Sequence, residues 1–278
     1  MPELPEVETV RRSLLSTLVG KRITGVNVSM PKLLRNLSAE QFTALAVDRH
    51  FVDIVRRGKY LLFRLSDGYT LVVHLRMTGQ LRFATCEEDV PRHTHIVLDL
   101  SGGHQLRYTD IRQFGFWFFA RNEEIAQVAG LDKLGPEPLE DDFSVAYIMD
   151  RFLGRRGKLK AMLLDQTFVA GVGNIYADEA LFMARLHPLR TPDSLTQDEV
   201  ERLRSALRDV LAAGVKLRGT TFSDYVDGLG LSGSFQNQLL VYGRTGQPCR
   251  GCAGVVERIV VAGRGTHICS RCQPRMVD

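Results

Sequence analysis

Apolar residues recur at helical spacing near the start of the chain. The positions that lie three or four residues apart are Val7, Val10, Leu14 and Leu18. This spacing places them on one face of a helix, and Gly20 is typical of a helix end. Pro5 is favoured in a first helical turn, and Glu6 and Glu8 suit the positive end of the helix dipole. The pattern predicts an amino-terminal helix.

Short apolar runs separated by turn residues follow over the first half of the chain. The predicted strands lie at 23–30, 60–65, 69–75, 95–100, 105–108 and 114–120. Ser66-Asp67-Gly68 and Ser101-Gly102-Gly103 lie between neighbouring runs, as in hairpins. Short strands with tight turns predict a β-sandwich or a β-barrel, with the first helix packed against it.

The pattern changes near residue 134. Gly135, Pro136 and Pro138, followed by three acids at 140–142, are typical of a linker. Helical runs follow at 159–164 and 174–184, and Thr196 with Glu199 forms a capping box before a helix at 201–211. We therefore predict a β domain at 1–133, a linker at 134–149, a helical domain at 150–238 and a small β-rich module at 239–278.

Composition and charge narrow the class of protein. The chain has 278 residues, of which 44% are hydrophobic and 24% charged, as expected for a folded protein. Neither an export signal nor a membrane span is evident, which predicts a cytoplasmic protein. The net charge is +4, and the segment from Tyr242 onward alone contains six arginines and two acids. A second basic cluster lies at 151–160. Such clusters are usually solvated surface, but two of them favour a phosphate-bearing partner.

Four cysteines form the strongest local motif. Cys249, Cys252, Cys269 and Cys272 make two C-x-x-C pairs separated by sixteen residues. This spacing predicts one structural zinc ion with no open coordination position, and two disulfides are the alternative. The intervening segment has the length of a hairpin, with a turn at 263–265. Arg264 in that turn could reach a phosphate, or it could simply be solvated.

Two glycines precede a predicted helix in the segment Gly171-Val172-Gly173-Asn174. Main-chain amides at a helix start can bind a phosphate, and the Asn174 side chain can add a donor. Lys158 and Lys160 lie just upstream. An ordinary turn between helices explains the glycines equally well.

The second residue of the chain suggests covalent chemistry. Removal of Met1 would leave Pro2 with a secondary amine, which can condense with an aldehyde only to a cationic iminium. Glu3 would then lie within reach to move protons. Most proteins that begin Met-Pro use this proline for nothing, so the terminus alone does not establish catalysis.

Together these motifs resemble a known family. The segments are PELPEVET at 2–9, RRGKYLL at 56–62, HLRMTG at 74–79, RYTDIRQFG at 107–115, LGPEPL at 134–139, AGVGNIYADEALF at 170–182, GTTFSDYVD at 219–227, VYGRTGQPC at 241–249 and the four cysteines. In this order they resemble bacterial formamidopyrimidine-DNA glycosylase over the whole chain.

The resemblance implies a fold and an activity. The fold is α+β with two domains: an amino-terminal β-sandwich with flanking helices, then a helix-two-turn-helix bundle with a zinc-finger hairpin. The activity is removal of oxidised purines such as 8-oxoguanine and formamidopyrimidines, followed by β and δ elimination. The implied partner is double-stranded DNA containing oxidised purines or abasic sites, bound by a monomer in the bacterial cytoplasm at the nucleoid.

The resemblance also assigns residues. Pro2 is the nucleophile and Glu3 the acid and base, while Lys59 and Arg264 serve the eliminations. The residues matching phosphate-binding or other DNA-contacting positions are His74, His93, Lys160, Asn174 and Tyr242, together with Lys59 and Arg264. Met77, Arg112 and Phe114 fill the gap left by the everted nucleotide, with Arg112 facing the orphaned cytosine. The segment 220–232 resembles the loop that covers the everted base.

Two features depart from a simple assignment. Alternation through 69–77 places Met77 on the apolar face of its strand unless the strand ends before it. Ile111 and Gln113 stand where the family commonly has proline and arginine, which bears on the stiffness of the loop and on opposite-base discrimination.

Two rival hypotheses remain. The first is an endonuclease VIII-like enzyme acting on oxidised pyrimidines, although PELPEVET and the Arg112-x-Phe114 pair argue against it. The second is a noncatalytic DNA-binding protein built on the zinc module. Borohydride trapping separates an enzyme from the noncatalytic protein.

Overall fold

The computed structural model describes residues 2–223 and 225–275. The chain divides into two compact units, which we call the N-terminal and C-terminal units. The first comprises Met1–Lys133 and Leu217–Ser234, and the second comprises Leu134–Lys216 and Phe235–Asp278. No helix in the described part of the chain is both long enough and apolar enough to cross a membrane.

The N-terminal unit begins with the predicted helix. Helix α1 spans Leu4–Leu18, and its four apolar positions at helical spacing are all buried. Helix α2 (Ala39–Ala46) follows a capping box in which Ser38 and Gln41 exchange hydrogen bonds, and α3 (Ile125–Val128) is a single turn. The sequence prediction did not include α2, although its capping signature is present.

Two antiparallel four-stranded sheets form the β-sandwich. The strands are β1 (Ile23–Val28), β2 (Phe51–Arg57), β3 (Tyr60–Leu65), β4 (Tyr69–His74), β5 (Gly79–Thr85), β6 (Thr94–Leu100), β7 (His104–Asp110) and β8 (Phe116–Arg121). One sheet has the order β1-β6-β7-β5 and the other β2-β3-β4-β8. Strands β2 and β5 were not predicted. In β2, Asp53 interrupts the apolar alternation, whereas in β5 the alternation of Leu81, Arg82 and Phe83 is present.

One hydrophobic core joins both sheets to α1 and α2. Its largest fully buried side chains include Trp117, Tyr108 and Phe42. The ring of Trp117 lies edge-on to those of Phe42 and Tyr108, with centroids 6.2 and 5.5 Å apart. Both sheets contribute buried side chains to this core, which confirms the sandwich.

The C-terminal unit is helical and ends in a hairpin. Its helices are α4 (Val145–Phe152), α5 (Leu159–Leu164), α6 (Asn174–Met183) and α7 (Gln197–Lys216), and its strands are β9 (Glu257–Val261) and β10 (Arg264–Ile268). Thr196 and Glu199 exchange the hydrogen bonds of the predicted capping box at α7. Helix α4 was not predicted, although Ser144 caps it.

The turn of the hairpin differs by one position from the sequence prediction. Arg264 pairs with Val261, so the loop consists of Ala262 and Gly263, with φ angles of 49° and 71°. Two successive left-handed residues are typical of a type I′ turn. Arg264 therefore starts β10 instead of lying at the tip of the turn.

Candidate active site and nucleic-acid interface

The amino-terminal residues are buried at the start of α1. Glu3 is the N-cap, its side chain accepts from the main chain of Glu6, and Glu3 N donates to Glu6 Oε2 at 2.8 Å. This capping box fixes the backbone next to Pro2, which is also buried. The two residues that the sequence predicts to be catalytic therefore lie buried and adjacent at the start of α1.

Glu6 joins the start of α1 to the segment 217–234. Its second carboxylate oxygen, Oε1, accepts from Thr220 N at 2.7 Å, and its carbonyl accepts from the Tyr225 hydroxyl at 3.2 Å. Gly219 has a φ of 81°, and a Cβ there would lie 2.8 Å from Glu6 Oε1. A glycine is therefore needed for this close approach. One buried carboxylate thus binds both the start of α1 and this segment.

The segment 217–234 is also stabilised by an ion pair and hydrogen bonds between its own residues. Asp227 is fully buried, pairs with Arg218, and accepts from Leu229 N and Leu231 N at 2.9 and 3.0 Å. Burial, followed by the charge of Glu6, raises the pKa of Tyr225. Phe222 is 59% exposed between these anchored ends. The segment therefore presents an aromatic side chain on a backbone fixed at both sides.

Lys59 and His74 lie together at one end of their sheet. Gly58 and Lys59 form the two-residue turn between β2 and β3, and Tyr60 pairs with His74 across β3 and β4. The imidazole of His74 stacks on Phe116 at 5.0 Å and meets the Tyr60 ring edge-on at 4.7 Å. Sheet register, which the local sequence does not show, brings these two predicted residues together.

His74 is held in its neutral form. Burial, followed by the charges of Arg76 and Lys59, lowers the pKa of His74 to about 3. Its Nδ1 accepts from Arg76 N at 3.0 Å, so Nε2 carries the proton. A neutral imidazole with its Nε2–H available as a donor can bind a phosphate oxygen without a change of protonation.

Met77, Arg112 and Phe114 are exposed on two loops. Strand β4 ends at His74, Leu75 is buried, and Met77 is 39% exposed. The strand therefore ends before Met77, as a wedge role requires. Phe114 is 49% exposed, and the Arg112 guanidinium lies 4.7 Å from the centre of its ring.

Thr78 and Asp110 fix these two loops to one another. Thr78 Oγ1 donates to Asp110 Oδ1 at 2.5 Å and accepts from Arg112 N at 3.0 Å. Asp110 Oδ2 accepts from Gly115 N at 2.8 Å and from the Tyr108 hydroxyl at 3.1 Å. A Cβ at Gly115 would overlap that hydroxyl. The buried carboxylate supplies rigidity at a loop that has Ile111 where proline is common.

The neighbouring positions adopt unusual backbone conformations. Arg76, His93 and Gln113 have φ angles of 54°, 65° and 57°. Asp110 N donates to His93 O at 3.0 Å, so His93 is tied to the loop of Arg112. Gln113 Oε1 accepts from Lys32 Nζ at 2.8 Å, which puts a cation beside the position where the family commonly has arginine. Left-handed non-glycine residues often mark functional loops.

Lys160 and Asn174 both bind the hairpin of their own unit. Lys160 is 0% exposed, and its Nζ lies 2.6 Å from Asp178 Oδ1 and donates to Thr266 Oγ1 at 2.7 Å. Asn174 Nδ2 donates to Gly265 O at 3.0 Å, and its Oδ1 has no hydrogen-bond partner among the described residues. Asn174 starts α6 after Gly173, as predicted. A direct phosphate contact by Lys160 would require its ammonium to leave these partners.

Glu179 holds the segment that carries Tyr242. Its carboxylate accepts from the main-chain N–H groups of Leu240, Val241 and Tyr242 at 2.7–2.9 Å. Burial raises the pKa of Glu179 although these three amides oppose the shift. The Tyr242 ring meets the His267 ring edge-on, with centroids 4.8 Å apart. Tyr242 is thereby placed beside β10.

The four cysteines form one metal-binding cluster. Their sulfur atoms all lie within 4.8 Å of one another, with Cys249 to Cys272 at 3.8 Å and Cys252 to Cys269 at 3.6 Å. A disulfide would require about 2.05 Å, whereas sulfurs around tetrahedral zinc lie about 3.8 Å apart. The main-chain N–H groups of Gly251 and Gly254 donate to Cys249 and Cys252. The four thiolates fit one structural zinc ion, which supports the hairpin and leaves no open coordination position.

Three domain-family models match successive parts of the chain. They are the formamidopyrimidine-DNA glycosylase N-terminal domain at residues 1–117, the H2TH domain of the same enzymes at 134–226, and a zinc finger found in FPG and IleRS at 246–275. This set of domains is that of a DNA repair glycosylase with a four-cysteine zinc finger.

Full-length relatives indicate the same family as the domain models. The chain is 49% identical to a formamidopyrimidine-DNA glycosylase of Desulforamulus reducens over 98% of this chain and 99% of that protein. It is 51% identical to one of Heliobacterium modesticaldum over 98% and 100%. The chain therefore belongs to the formamidopyrimidine-DNA glycosylase family.

Solved structures show the same fold. A Lactococcus lactis Fpg bound to DNA containing N7-benzyl-Fapy-dG superimposes with a TM-score of 0.93 at 37% identity, covering 99% of this chain and all of that one. The same enzyme bound to DNA with an abasic site gives 0.93 at 37% identity, covering 98% and 100%. These relatives bind damaged DNA.

Several residues that organise the site were not predicted from the sequence. They form hydrogen bonds or ion pairs with the segments that carry predicted site residues, and they are Thr78, Asp110, Asp178 and Glu179. Asp110 could have been noticed as an acid that ends an apolar strand. In the sequence, Asp178 and Glu179 look like ordinary polar residues of a helix, because their partners lie 18 to 89 positions away.

Proposed function

We propose that this chain is a bifunctional DNA glycosylase and AP lyase that removes oxidised purines, including 8-oxoguanine and formamidopyrimidines, from duplex DNA. The observation that carries the proposal is the construction of the amino terminus. Pro2 and Glu3 are buried at the start of a helix, and Glu6 binds both Glu3 N and Thr220 N. Such an arrangement suits an amine nucleophile coupled to a segment that contacts the everted base.

The first chemical step is nucleophilic substitution at the sugar. After removal of Met1, the Pro2 nitrogen bonds to C1′ as the bond from C1′ to the base breaks, and the base leaves with a proton. Glu3 protonates O4′ as the sugar ring opens, which produces a cationic iminium between Pro2 and C1′. The iminium is the electron sink for the next steps.

Two eliminations then cleave the strand. Loss of a proton from C2′ and of the 3′ phosphate gives β elimination, and loss of a proton from C4′ and of the 5′ phosphate gives δ elimination. Water hydrolyses the remaining iminium and releases Pro2. Lys59 and Arg264 are the cations that we assign to these eliminations, since each can protonate or neutralise a departing phosphate.

Eversion of the nucleotide requires compensation on the order of a few kcal/mol. Met77, Arg112 and Phe114 supply it by filling the gap, and Arg112 faces the orphaned cytosine. The DNA contacts that we assign to phosphates come from His74, His93, Asn174 and Tyr242, together with Lys59 and Arg264. Because several contacts are ionic, binding weakens with salt. We expect a monomer that acts on nucleoid DNA in the cytoplasm.

Borohydride trapping tests the proposal. Incubation with an 8-oxoguanine duplex and sodium borohydride should give a covalent adduct to the mature protein, whose mass shows that Met1 is absent. The adduct should disappear in Pro2→Gly and in protein that retains Met1. An undamaged duplex and sodium chloride in place of borohydride are the controls.

The alternatives predict other outcomes. Tight DNA binding without any adduct would support the noncatalytic protein and refute the proposal. Preferential trapping on oxidised pyrimidines over 8-oxoguanine would support the endonuclease VIII-like enzyme. To test the elimination roles, strand cleavage is compared with base release, and Lys59→Met and Arg264→Ala should slow strand cleavage more. The controls are Lys133→Met and Arg250→Ala, at exposed positions of the same units, and they should change neither rate.

A further inference from the structure

The ammonium of Lys160 makes three polar contacts inside the C-terminal unit. Besides Asp178 Oδ1 and Thr266 Oγ1, its Nζ donates to Gly265 O at 3.3 Å. The contact with Asp178 is an ion pair, and the contacts with Thr266 and Gly265 are hydrogen bonds. Both charged side chains are 0% exposed. This cation is therefore used to bind the hairpin.

Asp178 extends the same interaction along β10. Its other oxygen, Oδ2, accepts from His267 N at 2.9 Å and lies 3.2 Å from His267 Nδ1. One buried ion pair thus contacts three consecutive residues at 265–267. Asn174 Nδ2 adds a second donor to Gly265 O. Helices α5 and α6 are fastened to this strand by polar contacts that exclude solvent.

Those three residues directly follow Arg264. Arg264 itself is exposed. It pairs with Val261 across a two-residue turn, and its carbonyl oxygen accepts from Thr266 Oγ1 at 3.1 Å. Gly265 is also confined from the other side, since a Cβ there would lie 2.8 Å from Arg258 Nη2. The position of the Arg264 backbone is therefore determined by the strand that the buried pair holds.

We infer that Lys160 and Asp178 are positioning residues that fix Arg264 for its contact with DNA, and that Lys160 is not itself a phosphate ligand. The inference rests on the proposed function only for the role of Arg264. It predicts the direction in which Asp178→Asn changes the affinity for DNA. If Lys160 bound a phosphate, the neighbouring carboxylate of Asp178 would oppose DNA binding, and Asp178→Asn would tighten it. If the pair positions Arg264, Asp178→Asn weakens binding.

The positioning claim is first tested without DNA. Trypsin can cleave after the exposed Arg264, and cleavage requires local opening of the hairpin. Rates are measured by mass spectrometry for wild type, Lys160→Gln, Asp178→Asn and the control Asp209→Asn, an exposed acid on α7. We expect both pair variants to retain zinc and to be cleaved after Arg264 at least about tenfold faster, with the control unchanged.

The second test measures affinity for a duplex containing a tetrahydrofuran abasic analogue. Lys160→Gln and Asp178→Asn should each bind at least about fivefold more weakly, and Asp209→Asn should bind as wild type does. In an Arg264→Ala background, either pair substitution should add less than about twofold, because the residue through which it acts is gone.

Each other outcome overturns the inference. These are unchanged cleavage after Arg264, tighter DNA binding by Asp178→Asn, an additive effect of Lys160→Gln on Arg264→Ala, or loss of zinc from both variants, which would make the pair a condition for folding the module. If wild type does not bind the lesion duplex, the proposed function fails, and the trypsin measurement still decides whether the pair positions the hairpin.

Discussion

Thr78 Oγ1 donates a hydrogen bond to Asp110 Oδ1 at 2.5 Å and accepts one from Arg112 N at 3.0 Å. One threonine thereby sets the distance between the turn that carries Met77 and the loop that carries Arg112 and Phe114. These three side chains can act as a unit only if the two loops keep a fixed relation. The hydrogen bonds of Thr78 provide that relation.

Thr78→Val should weaken the connection between the turn that carries Met77 and the loop that carries Arg112. The substitution keeps the shape of the side chain but removes the Thr78 hydroxyl from Asp110 Oδ1 and from Arg112 N, at a cost of about 1–3 kcal/mol. We expect weaker binding to a lesion duplex and reduced discrimination between cytosine and adenine opposite the lesion, measured by competition binding. Thr17→Val is the control, because the Thr17 hydroxyl donates to Leu14 O within α1. Unchanged opposite-base discrimination would contradict the role given to Thr78.

Glu6→Gln should uncouple the amino terminus from the segment 217–234. Glu6 accepts two main-chain N–H bonds with two oxygens, and glutamine offers one oxygen and an amide that faces an N–H. Hydrogen exchange at the Thr220 amide should therefore accelerate, and stability should fall by about 1–3 kcal/mol. The exposed Glu123→Gln is the control. Unaltered exchange at Thr220 would show that Glu6 does not anchor this segment.

His74 should make stability depend on pH. Its folded-state pKa of about 3 lies below the ordinary value of 6.5, so only the unfolded chain binds this proton between those values. Acidification through that window therefore lowers the free energy of unfolding, by up to about 1.4 kcal/mol per pH unit. The slope of unfolding free energy against pH, measured in urea, should decrease in His74→Asn.

His50 provides the matched control, because its side chain is exposed. His50→Asn should leave the pH slope as in wild type. An equal slope in wild type and His74→Asn would mean that His74 is protonated as readily in the folded protein as in the unfolded chain.

Removal of zinc should unfold the hairpin module. The four thiolates are the only ligands in the cluster among the described residues, and metal binding supplies folding free energy in such modules. Chelation or Cys252→Ser should abolish DNA binding, while near-ultraviolet circular dichroism from Trp117 in the N-terminal unit should remain. Cys86→Ser should retain zinc, since Cys86 is an exposed cysteine outside the cluster. DNA binding that survives metal loss would contradict the structural role of the ion.

Local patterns in the chain were sufficient for much of the architecture. Strand β3 and helix α5 have the predicted bounds, and β4 differs from the prediction by one residue. The four cysteines were sufficient for the metal site. These features were predictable because side-chain periodicity, turn residues and ligand spacing act over a few neighbouring residues. The catalytic and DNA-contacting roles came from the resemblance and remain predictions.

The sequence by itself determined most of the strands, the main helices, the zinc ligands and the family. Only the tertiary structure decided how the polar residues are used: that Lys160 is buried against Asp178, that Glu6 binds Thr220, and that Thr78 joins two loops. It also decided that Leu217–Ser234 belongs to the N-terminal unit. The physical reason is that a hydrogen bond or ion pair depends on which groups meet in space, and these partners lie between 18 and 214 positions apart in the chain.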